Sequence, residues 1–476
     1  MKAILFIVAA SLIFAAGCSV GPDYHPPKTD THAEWASPLA GGTTNAPMTD
    51  TNWWKTFHDP EIDSLIARAV HSNLNLRVAT ARVHEERAAR GVVAADFWPT
   101  ANASGSYTRE RLSGNGFPEF PPGEPLEANV YQAGFDARWE IDVFGGTRRA
   151  VEAATAEIGA AEFGRRDVLV SLLGDVARSY VEARGFQKEI AIVQQNIKAQ
   201  QDVLELTRDR FKSGLTSDLD VQQAAALLST TQAQVPTLET GFRQSTYRLD
   251  VLIGQRPGTL LEELSAEQPI PSVPPQVPIG LPADLLRRRP DIRRAERQLA
   301  ASNARIGVAV ADYFPKFSLT GDAGLQSVSA SDWFTGGSRF WSIGPTAQWR
   351  IFDGGRIRSN VKVQNAREEQ ALATYEQAVL GAFQDVEGAL VAYAKEQIRR
   401  QSLIEAVTAN QNAVDIANQL YKNGLADFLR VLDSQRSLYE AQDALVQSDR
   451  TVSVDLIALY KALGGGWEEV EREAMK

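Results

Sequence analysis

The chain is poor in the residues that build disulfides, metal sites and helical membrane spans. Cys18 is its one cysteine, so it cannot form an intramolecular disulfide. Its five histidines include no His-x-x-x-His pair, which argues against a metal site. Outside the N-terminus there is no stretch of about 20 apolar residues, the length that a membrane-spanning helix requires. A net charge of −10 argues against a nucleic-acid partner.

Catalytic signatures are missing as well. The sequence contains neither the Gly-x-x-x-x-Gly-Lys of phosphate-binding loops nor the Gly-x-Ser-x-Gly of serine hydrolases. The basic run "LLRRRPDIRR" predicts a helix start and not a nucleic-acid patch, because Pro290 fits a first helical position and Asp291 suits the positive helix end. The sequence therefore offers no catalytic residue, metal or cofactor.

The N-terminus has the layout of a bacterial secretion signal. Lys2 precedes an apolar core, Ala3 to Ala16, which is of secretory length and too short for a transmembrane helix. The phrase "FAAGCS" resembles a lipoprotein box in which Cys18 becomes the lipidated first residue, with Ala15 where leucine is usual. Ser19 after the cysteine favours transport to the outer membrane. We predict lipidation of Cys18, and the alternative is simple cleavage as a secreted protein.

Three phrases occur twice in the chain, so the sequence is internally duplicated. The offset is 216 residues for the first pair and 210 for the other two, which places about six extra residues in the first copy, within the Pro- and Gly-rich stretch 114–125. The repeated phrases are "GVVAADFWP" (Gly91–Pro99) with "GVAVADYFP" (Gly307–Pro315), "WEIDVFGG" (Trp139–Gly146) with "WRIFDGG" (Trp349–Gly355), and "FKSGLTSDLDV" (Phe211–Val221) with "YKNGLADFLRV" (Tyr421–Val431).

Each copy contains a long proline-free stretch that predicts a very long helix. These helices are expected from about Arg148 to Phe211 and from about Arg356 to Tyr421, each roughly 100 Å long at 1.5 Å per residue. Gly214 and Gly424 are natural helix stops, after which a second helix turns back. A cytosolic coiled coil is the alternative, and the secretion signal argues against it. The predicted N-caps of the returning helices are Ser217 and Asp427.

Alternating segments before these helices predict β-hairpins. "YQAGFDARWEI" (131–141) and "WSIGPTAQWRI" (341–351) alternate strictly, "FSLTGDAGL" (317–325) does likewise, and "TANASGSYT" (100–108) does so more weakly. A soluble half-buried strand would explain one such segment, whereas four of them favour a transmembrane β-barrel. Four strands cannot close a barrel and an open edge is not tolerated in lipid, so two, three or four chains must share it.

With these features the chain resembles the TolC-like outer-membrane factors, lipoprotein branch, over nearly its whole length from Cys18. The resemblance implies an internally duplicated α+β membrane protein. Three chains would form a twelve-stranded β-barrel in the outer membrane that continues into a twelve-helix periplasmic α-barrel. The phrases that carry the resemblance are "GLPADLLRRRPDIRRAE" (Gly280–Glu296), "ADYFP" (Ala311–Pro315), "FDGGR" (Phe352–Arg356) and "VLDSQRSL" (Val431–Leu438).

The resemblance also implies a function without chemistry. Such proteins are lipid-anchored exit ducts of tripartite efflux pumps, and most of the chain lies in the periplasm. They pass drugs and other small toxic compounds from a periplasmic adaptor and an inner-membrane transporter to the outside, which confers antibiotic resistance. Two alternatives remain open: the outer-membrane channel of a type I protein secretion system, and a non-channel lipoprotein scaffold.

Two sets of site residues follow from the resemblance. The helix turns at Gly214, Leu215, Gly424 and Leu425 would dock the adaptor; the alternative is that each is only a glycine-terminated turn. Leu429 and Asp433 lie four residues apart on one helix face, and Arg436 follows on the same side. They match the leucine, aspartate and arginine of the periplasmic gate; the alternative is a seam leucine beside a solvated aspartate. The aligned residues of the first copy are Leu219, Gln223 and Ala226.

The predicted organisation has six parts, and each repeat comprises a helix, a β-hairpin and a long helical hairpin. The parts are a signal peptide (1–17), a lipidated extended segment (18–58), a first repeat (59–256) with a hairpin at about 100–142, a Pro-rich linker (257–282), a second repeat (283–464) with a hairpin at about 316–352, and a C-terminal tail (465–476).

Overall fold

The computed structural model describes residues 19–29, 33–47, 52–111, 113, 126–468 and 470. Cys18, the predicted signal peptide and the stretch 114–125 lie outside the described residues. The helices are Pro60–Ser72 (α1), Leu74–Ala94 (α2), Gly146–Lys212 (α3), Asp218–Gln232 (α4), Val235–Leu252 (α5), Pro282–Arg288 (α6), Pro290–Ala311 (α7), Arg356–Lys422 (α8) and Phe428–Ala462 (α9). The strands are Thr43–Thr44 (β1), Thr100–Arg111 (β2), Glu127–Ile141 (β3), Val277–Pro278 (β4), Lys316–Ser327 (β5) and Arg339–Gln348 (β6).

The chain divides into two compact units, and each draws on both sequence copies. The sheet unit comprises the described residues up to Pro27 together with Val83–Ala161 and Ala295–Tyr375. The helix unit comprises Lys28–Arg82, Glu162–Arg294 and the described residues from Glu376 onward. The boundaries of these two units differ from those of the two predicted repeats. The repeat boundaries stay a prediction.

The sheet unit contains one four-stranded antiparallel sheet in the order β2-β3-β5-β6. Each hairpin supplies two strands, and β3 pairs with β5 where the hairpins meet, from Tyr131 opposite Ser327 to Ile141 opposite Phe317. Within the described part of the chain, β2 and β6 are the two edges of this sheet. The alternating sequence runs on to Ile351, but β6 ends at Gln348 because the backbone leaves the sheet to reach the start of α8.

The two longest helices have 67 residues each and start beside an aspartate cap. Asp142 accepts the N–H groups of Thr147 (3.2 Å) and Arg148 (2.9 Å) at the start of α3. Asp353 accepts those of Gly355, Arg356 and Ile357 at 2.8 to 3.1 Å at the start of α8. The Ile357 N–H, first among these donors, holds the pKa of Asp353 below its usual value. Both caps satisfy N–H groups that have no partner inside the helix.

One hydrogen bond is made once in each copy, and its acceptor lies in "ADFWP" in the first copy and in "ADYFP" in the second. The indole N–H of Trp139 donates to the carbonyl of Phe97 at 2.8 Å, and that of Trp349 donates to the carbonyl of Tyr313 at 3.0 Å. Two of the repeated phrases are therefore bonded to each other in both copies. Each bond ties the end of an outgoing strand to the segment that leads into the first strand of its hairpin.

The helix unit has its own hydrophobic core, which brings together residues far apart in the sequence, from Trp35 to Leu463. Trp53 is buried and stacks on Tyr460 with ring centroids 5.2 Å apart. Tyr180 and Tyr393, from the two longest helices, are also fully buried in this core. In the same unit β1 pairs in parallel with β4, Thr43 opposite Val277.

None of the helices in the described part of the chain combines the length and the apolar character needed to cross a bilayer. Over the same residues, no group of three or more histidine, cysteine, aspartate or glutamate side chains is arranged to hold a metal ion.

Candidate channel wall, helix turns and gate

The four-stranded sheet has one apolar and one polar face. The apolar face is exposed in the single chain: Phe135 is 70% exposed, Trp341 76% and Ile343 69%. An exposed apolar face that extends over several strands of a sheet marks contact with a partner or a membrane. The alternation in the sequence predicts which residues lie on each face, and the register places them there.

A row of hydrogen-bonding side chains crosses the polar face. The register aligns Asn102, Asp136, Asp322 and Ser342, one from each strand. The Asn102 amide donates to Asp136 at 2.9 Å, and the Ser342 hydroxyl donates to Asp322. Because carboxylates on adjacent strands repel one another unless they are hydrated, this row favours contact with water over contact with lipid.

Phe340 is the only aromatic side chain on the polar face of the paired strands, and the sequence analysis missed it. It lies beside Gly324 in the register, and Gly324 in turn lies beside Gly134. A Cβ at Gly324 would lie 3.0 Å from the ring of Phe340 and 2.7 Å from the Cα of Gly134. The absence of a Cβ at Gly324 thus leaves room for the Phe340 ring beside it. The alternation could have located Phe340, since it comes one residue before the run that begins at Trp341.

The helix turns at Gly214 and Gly424 have the same geometry. Their φ angles are +70° and +71°, in the left-handed region that glycine adopts without strain. The N–H of Leu215 donates to the backbone carbonyl of Arg210 at 2.8 Å, and the N–H of Leu425 donates to that of Leu420 at 2.8 Å. Such a bond, together with the one from each glycine N–H, ends the helix in a Schellman motif.

Each of these turns carries one exposed leucine side chain. Leu215 is 67% exposed and Leu425 is 73% exposed, so both apolar side chains project from the turns. The returning helices are capped by the predicted residues: Ser217 accepts the N–H of Asp220, and Asp427 accepts that of Arg430. The predicted turn residues are therefore at true helix ends; their role in docking stays a prediction.

Arg210 joins the two turns, which the sequence analysis did not anticipate. Its guanidinium donates to the carbonyl of Tyr421 at 3.0 Å and lies 4.6 Å from the centre of the Tyr421 ring. Tyr421 contacts Phe428 edge to face, with centroids 5.7 Å apart, in a buried cluster that includes Val221 and Val431. The turns therefore form one structural element of the helix unit.

The predicted gate residues lie on the exposed side of α9. Leu429 is 50% exposed, and Asp433 and Arg436 are exposed as well. The opposite side of the same helix is buried, with Phe428, Val431, Gln435 and Leu438 packed inward. Within one chain Arg436 pairs with Glu440 at 3.0 Å, and no ion pair to Asp433 occurs among the described residues. The three side chains are thus brought together on one surface, and their gating role stays a prediction.

A family described as outer membrane efflux protein matches residues 65–255 and 281–465. The solvent efflux pump outer membrane protein SrpC of Pseudomonas putida is 34% identical over 465 residues, which cover 96% of this chain and 97% of that protein. Nodulation protein T of Rhizobium leguminosarum bv. trifolii is 31% identical over 463 residues, 97% of each chain.

Solved structures resemble the whole fold. The outer-membrane channel OprN superposes with a TM-score of 0.88 at 36% identity, over 94% of this chain and 100% of that one. The open state of the MtrE outer membrane channel of Neisseria gonorrhoeae gives a TM-score of 0.80 at 28% identity, over 94% of this chain and 99% of that one.

Proposed function

This chain belongs to the outer membrane efflux protein family, and we propose that its cargo consists of small, toxic, largely apolar organic compounds. It is an outer-membrane exit duct and performs no chemistry. It works as a homotrimer with a periplasmic adaptor and an inner-membrane transporter, and a large part of it lies in the periplasm. The cargo class rests on relatives named for the efflux of solvents, toluene and antibiotics.

The duct is supported above all by one observation: the sheet has an apolar and a polar face, and two open edges. Three chains of four strands give twelve strands, and pairing β2 of one chain with β6 of the next removes every edge. The exposed apolar face would then contact lipid, and the row of Asn102, Asp136, Asp322 and Ser342 would line the lumen. The long helices α3 and α8, which follow the two hairpins, would continue the duct.

Cysteine cross-linking tests this closure. One cysteine replaces Ala103 in β2 and a second replaces, in turn, Ile343, Pro345 or Ala347 in β6. Within one chain these strands are three strand spacings apart, about 14 Å, and a disulfide requires Cα atoms within about 7 Å. Covalent oligomers on oxidation therefore report pairing between chains. A cysteine at Ala137 in the central strand β3, combined with the same partners, is the matched control and should give none. Absence of oligomers from every β2–β6 pair would contradict the closed barrel.

We propose further roles for the residues singled out in the sequence. Cys18 carries the lipid anchor, acyl chains such as palmitate included, which the "FAAGCS" phrase supports. Leu215 and Leu425 dock the adaptor; their exposure at two joined turns supports this. Leu429 and Asp433, with Arg436, form the periplasmic gate, supported by their shared exposed surface on α9.

A further inference from the structure

One aromatic ring, that of Phe340, lies on the polar face of the sheet beside the row of hydrogen-bonding side chains. Phe340 comes two residues before Ser342 in β6, so it is one row nearer to the loop that joins β5 and β6. Neighbouring rows on one face of a sheet are two residues apart, about 7 Å along the strands. The ring and the carboxylates of the row are therefore adjacent on the face that a closed barrel turns toward its lumen.

The backbone beside the ring carries no side chains. Gly324 pairs with Phe340, and Gly134 pairs with Gly324, so both glycines lie in the same row as the ring. A Cβ at Gly324 would lie 3.0 Å from the ring, so a larger residue there would displace it. The ring is half-buried, which leaves part of its surface accessible. Covering a glycine is one role of such a ring, and contact with a ligand through the accessible part is a second.

Two carboxylates in the row next to the ring are held by neutral donors. Asp136 accepts from the Asn102 amide at 2.9 Å, and Asp322 accepts from the Ser342 hydroxyl. Within the described part of the chain neither carboxylate forms an ion pair. Arg138 lies on the same face two residues beyond Asp136, one row farther from the ring. The negative charge next to the ring is therefore not neutralised by a side chain of this chain.

The ring and the carboxylates match the two parts of an organic cation. The face of an aromatic ring attracts a cation and packs against an apolar group. The carboxylates attract the positive charge about 7 Å away, in the next row. A neutral apolar compound would use the ring alone, and an inorganic cation would use the carboxylates alone. A molecule with both parts uses both contacts at once.

Both contacts are weak in water, which suits a duct. A cation–π contact at an exposed ring and an exposed ion pair each strengthen binding by only about two- to fivefold. A site on the wall of a pore must release what it binds, so weak contacts at several positions favour passage. Three chains would supply three rings and six carboxylates in two neighbouring rows.

We propose that Phe340, Asp136 and Asp322 form a weak binding site for organic cations that carry an aromatic or other apolar group. This inference rests on the proposed function, because the closed barrel places the site on the luminal wall of the duct. The chemistry of the site rests on the register and on contacts within one chain. The site adds organic cations to the cargo and gives them a place of contact.

Binding to the purified trimer in lipid nanodiscs tests the site, with benzyltrimethylammonium as the probe. Saturation-transfer difference NMR compares it with tetramethylammonium, which has the charge alone, and with benzyl alcohol, which has the ring alone. The wild type should bind benzyltrimethylammonium more tightly than either. Phe340→Leu keeps an apolar side chain beside Gly324 and should weaken this binding by about two- to fivefold. Asp136→Asn combined with Asp322→Asn should weaken it by a similar factor, and added salt should reduce binding to the wild type more than to this variant.

A matched control on the other face keeps the result specific. Phe135 lies on the apolar face and is 70% exposed. Phe135→Leu should leave binding unchanged, and an equal loss in this variant would place the probe on the lipid-facing surface and overturn the site. The temperature at which the trimer dissociates is measured for each variant. A Phe340→Leu trimer that is less stable but binds the probe as the wild type does would show that the ring only covers Gly324, which also overturns the site.

Dye release from cells separates this site from the duct itself. In a strain that lacks the chain, Phe340→Leu should restore release of a neutral apolar dye as well as the wild type does. Normal release together with weakened binding of benzyltrimethylammonium supports the site. Unchanged binding in both the Phe340 and the aspartate variants overturns the site and leaves the duct standing. Failure of the wild-type chain to restore dye release would overturn the duct, whatever the binding.

Discussion

Aspartate substitutions at the two turn leucines separate docking from folding. Leu215 and Leu425 are 67% and 73% exposed, so each buries a third of its surface or less. Full burial of a leucine is worth about 1.5 to 3 kcal/mol, so loss of this part costs about 0.5 to 1 kcal/mol. If these side chains are central contacts of the adaptor, their loss costs about 2 kcal/mol or more of binding, about thirtyfold in affinity.

Alanine substitutions at the neighbouring glycines are the matched comparison. Gly214 and Gly424 have φ angles of +70° and +71°, and nothing lies within 4 Å of a Cβ added at either position. The methyl group therefore meets no neighbour, and the cost is that of a left-handed backbone, about 1 to 2 kcal/mol. The glycine variants should lose more stability than the leucine variants while keeping the exposed leucines.

The assay measures the efflux rate of a fluorescent apolar dye in cells, trimer level in the membrane and the temperature at which the trimer dissociates. Leu215→Asp and Leu425→Asp should slow efflux strongly at normal trimer level. Gly214→Ala and Gly424→Ala should lower the dissociation temperature and leave efflux close to normal. An efflux loss that follows stability across the four variants would refute docking by these leucines.

Three further predictions concern the gate, the strand ends and the anchor. Leu429→Ala combined with Asp433→Ala should raise single-channel conductance and weaken cation selectivity in planar bilayers; unchanged values would place the constriction elsewhere. Trp349→Phe removes an indole hydrogen bond of 3.0 Å to a backbone carbonyl, so trimer stability should fall by about 1 kcal/mol. Trp341→Phe in β6 is its control, and equal losses would contradict the importance of the bond. Cys18→Ser should yield a mature chain without a diacylglyceryl group whose sheet still inserts, and an unmodified Cys18 in the wild type would contradict lipidation.

Local patterns in the sequence predict the elements of this fold well. Alternation over 131–141 predicts which side chains of β3 share a face, because a strand places successive residues on opposite sides. The helix stops at Gly214 and Gly424 predict the C-terminal ends of the two longest helices to within a residue or two. These signals depend only on neighbouring residues. The alternation over 341–351 predicts a β6 that reaches Ile351, whereas the strand ends at Gln348.

Contacts between distant segments could not be predicted in the same way. Arg149 donates to the Val20 carbonyl and to the Asp23 carboxylate, more than 120 positions away, and Arg210 contacts Tyr421 across 211 positions. Neither arginine lies in a sequence motif that indicates which residue it contacts. Gly21 and Gly307 lie beside Arg149, and a Cβ on Gly21 would lie 2.4 Å from the Cα of Gly307. The sequence does not indicate that these two segments approach each other. Resemblance and spacing predict the gate residues, and that role stays a prediction; within one chain Arg436 pairs with Glu440.

Efflux measured in cells that lack this chain tests the central claim most directly. The deletion strain is loaded with an apolar dye, and the rate of dye release is followed with and without the wild-type chain supplied from a plasmid, while secreted proteins are profiled in parallel. An exit duct for small compounds predicts slow dye release in the deletion strain, full recovery with the chain and an unchanged profile of secreted proteins. Normal dye release together with the loss of a secreted protein would contradict it in favour of a protein-secretion channel.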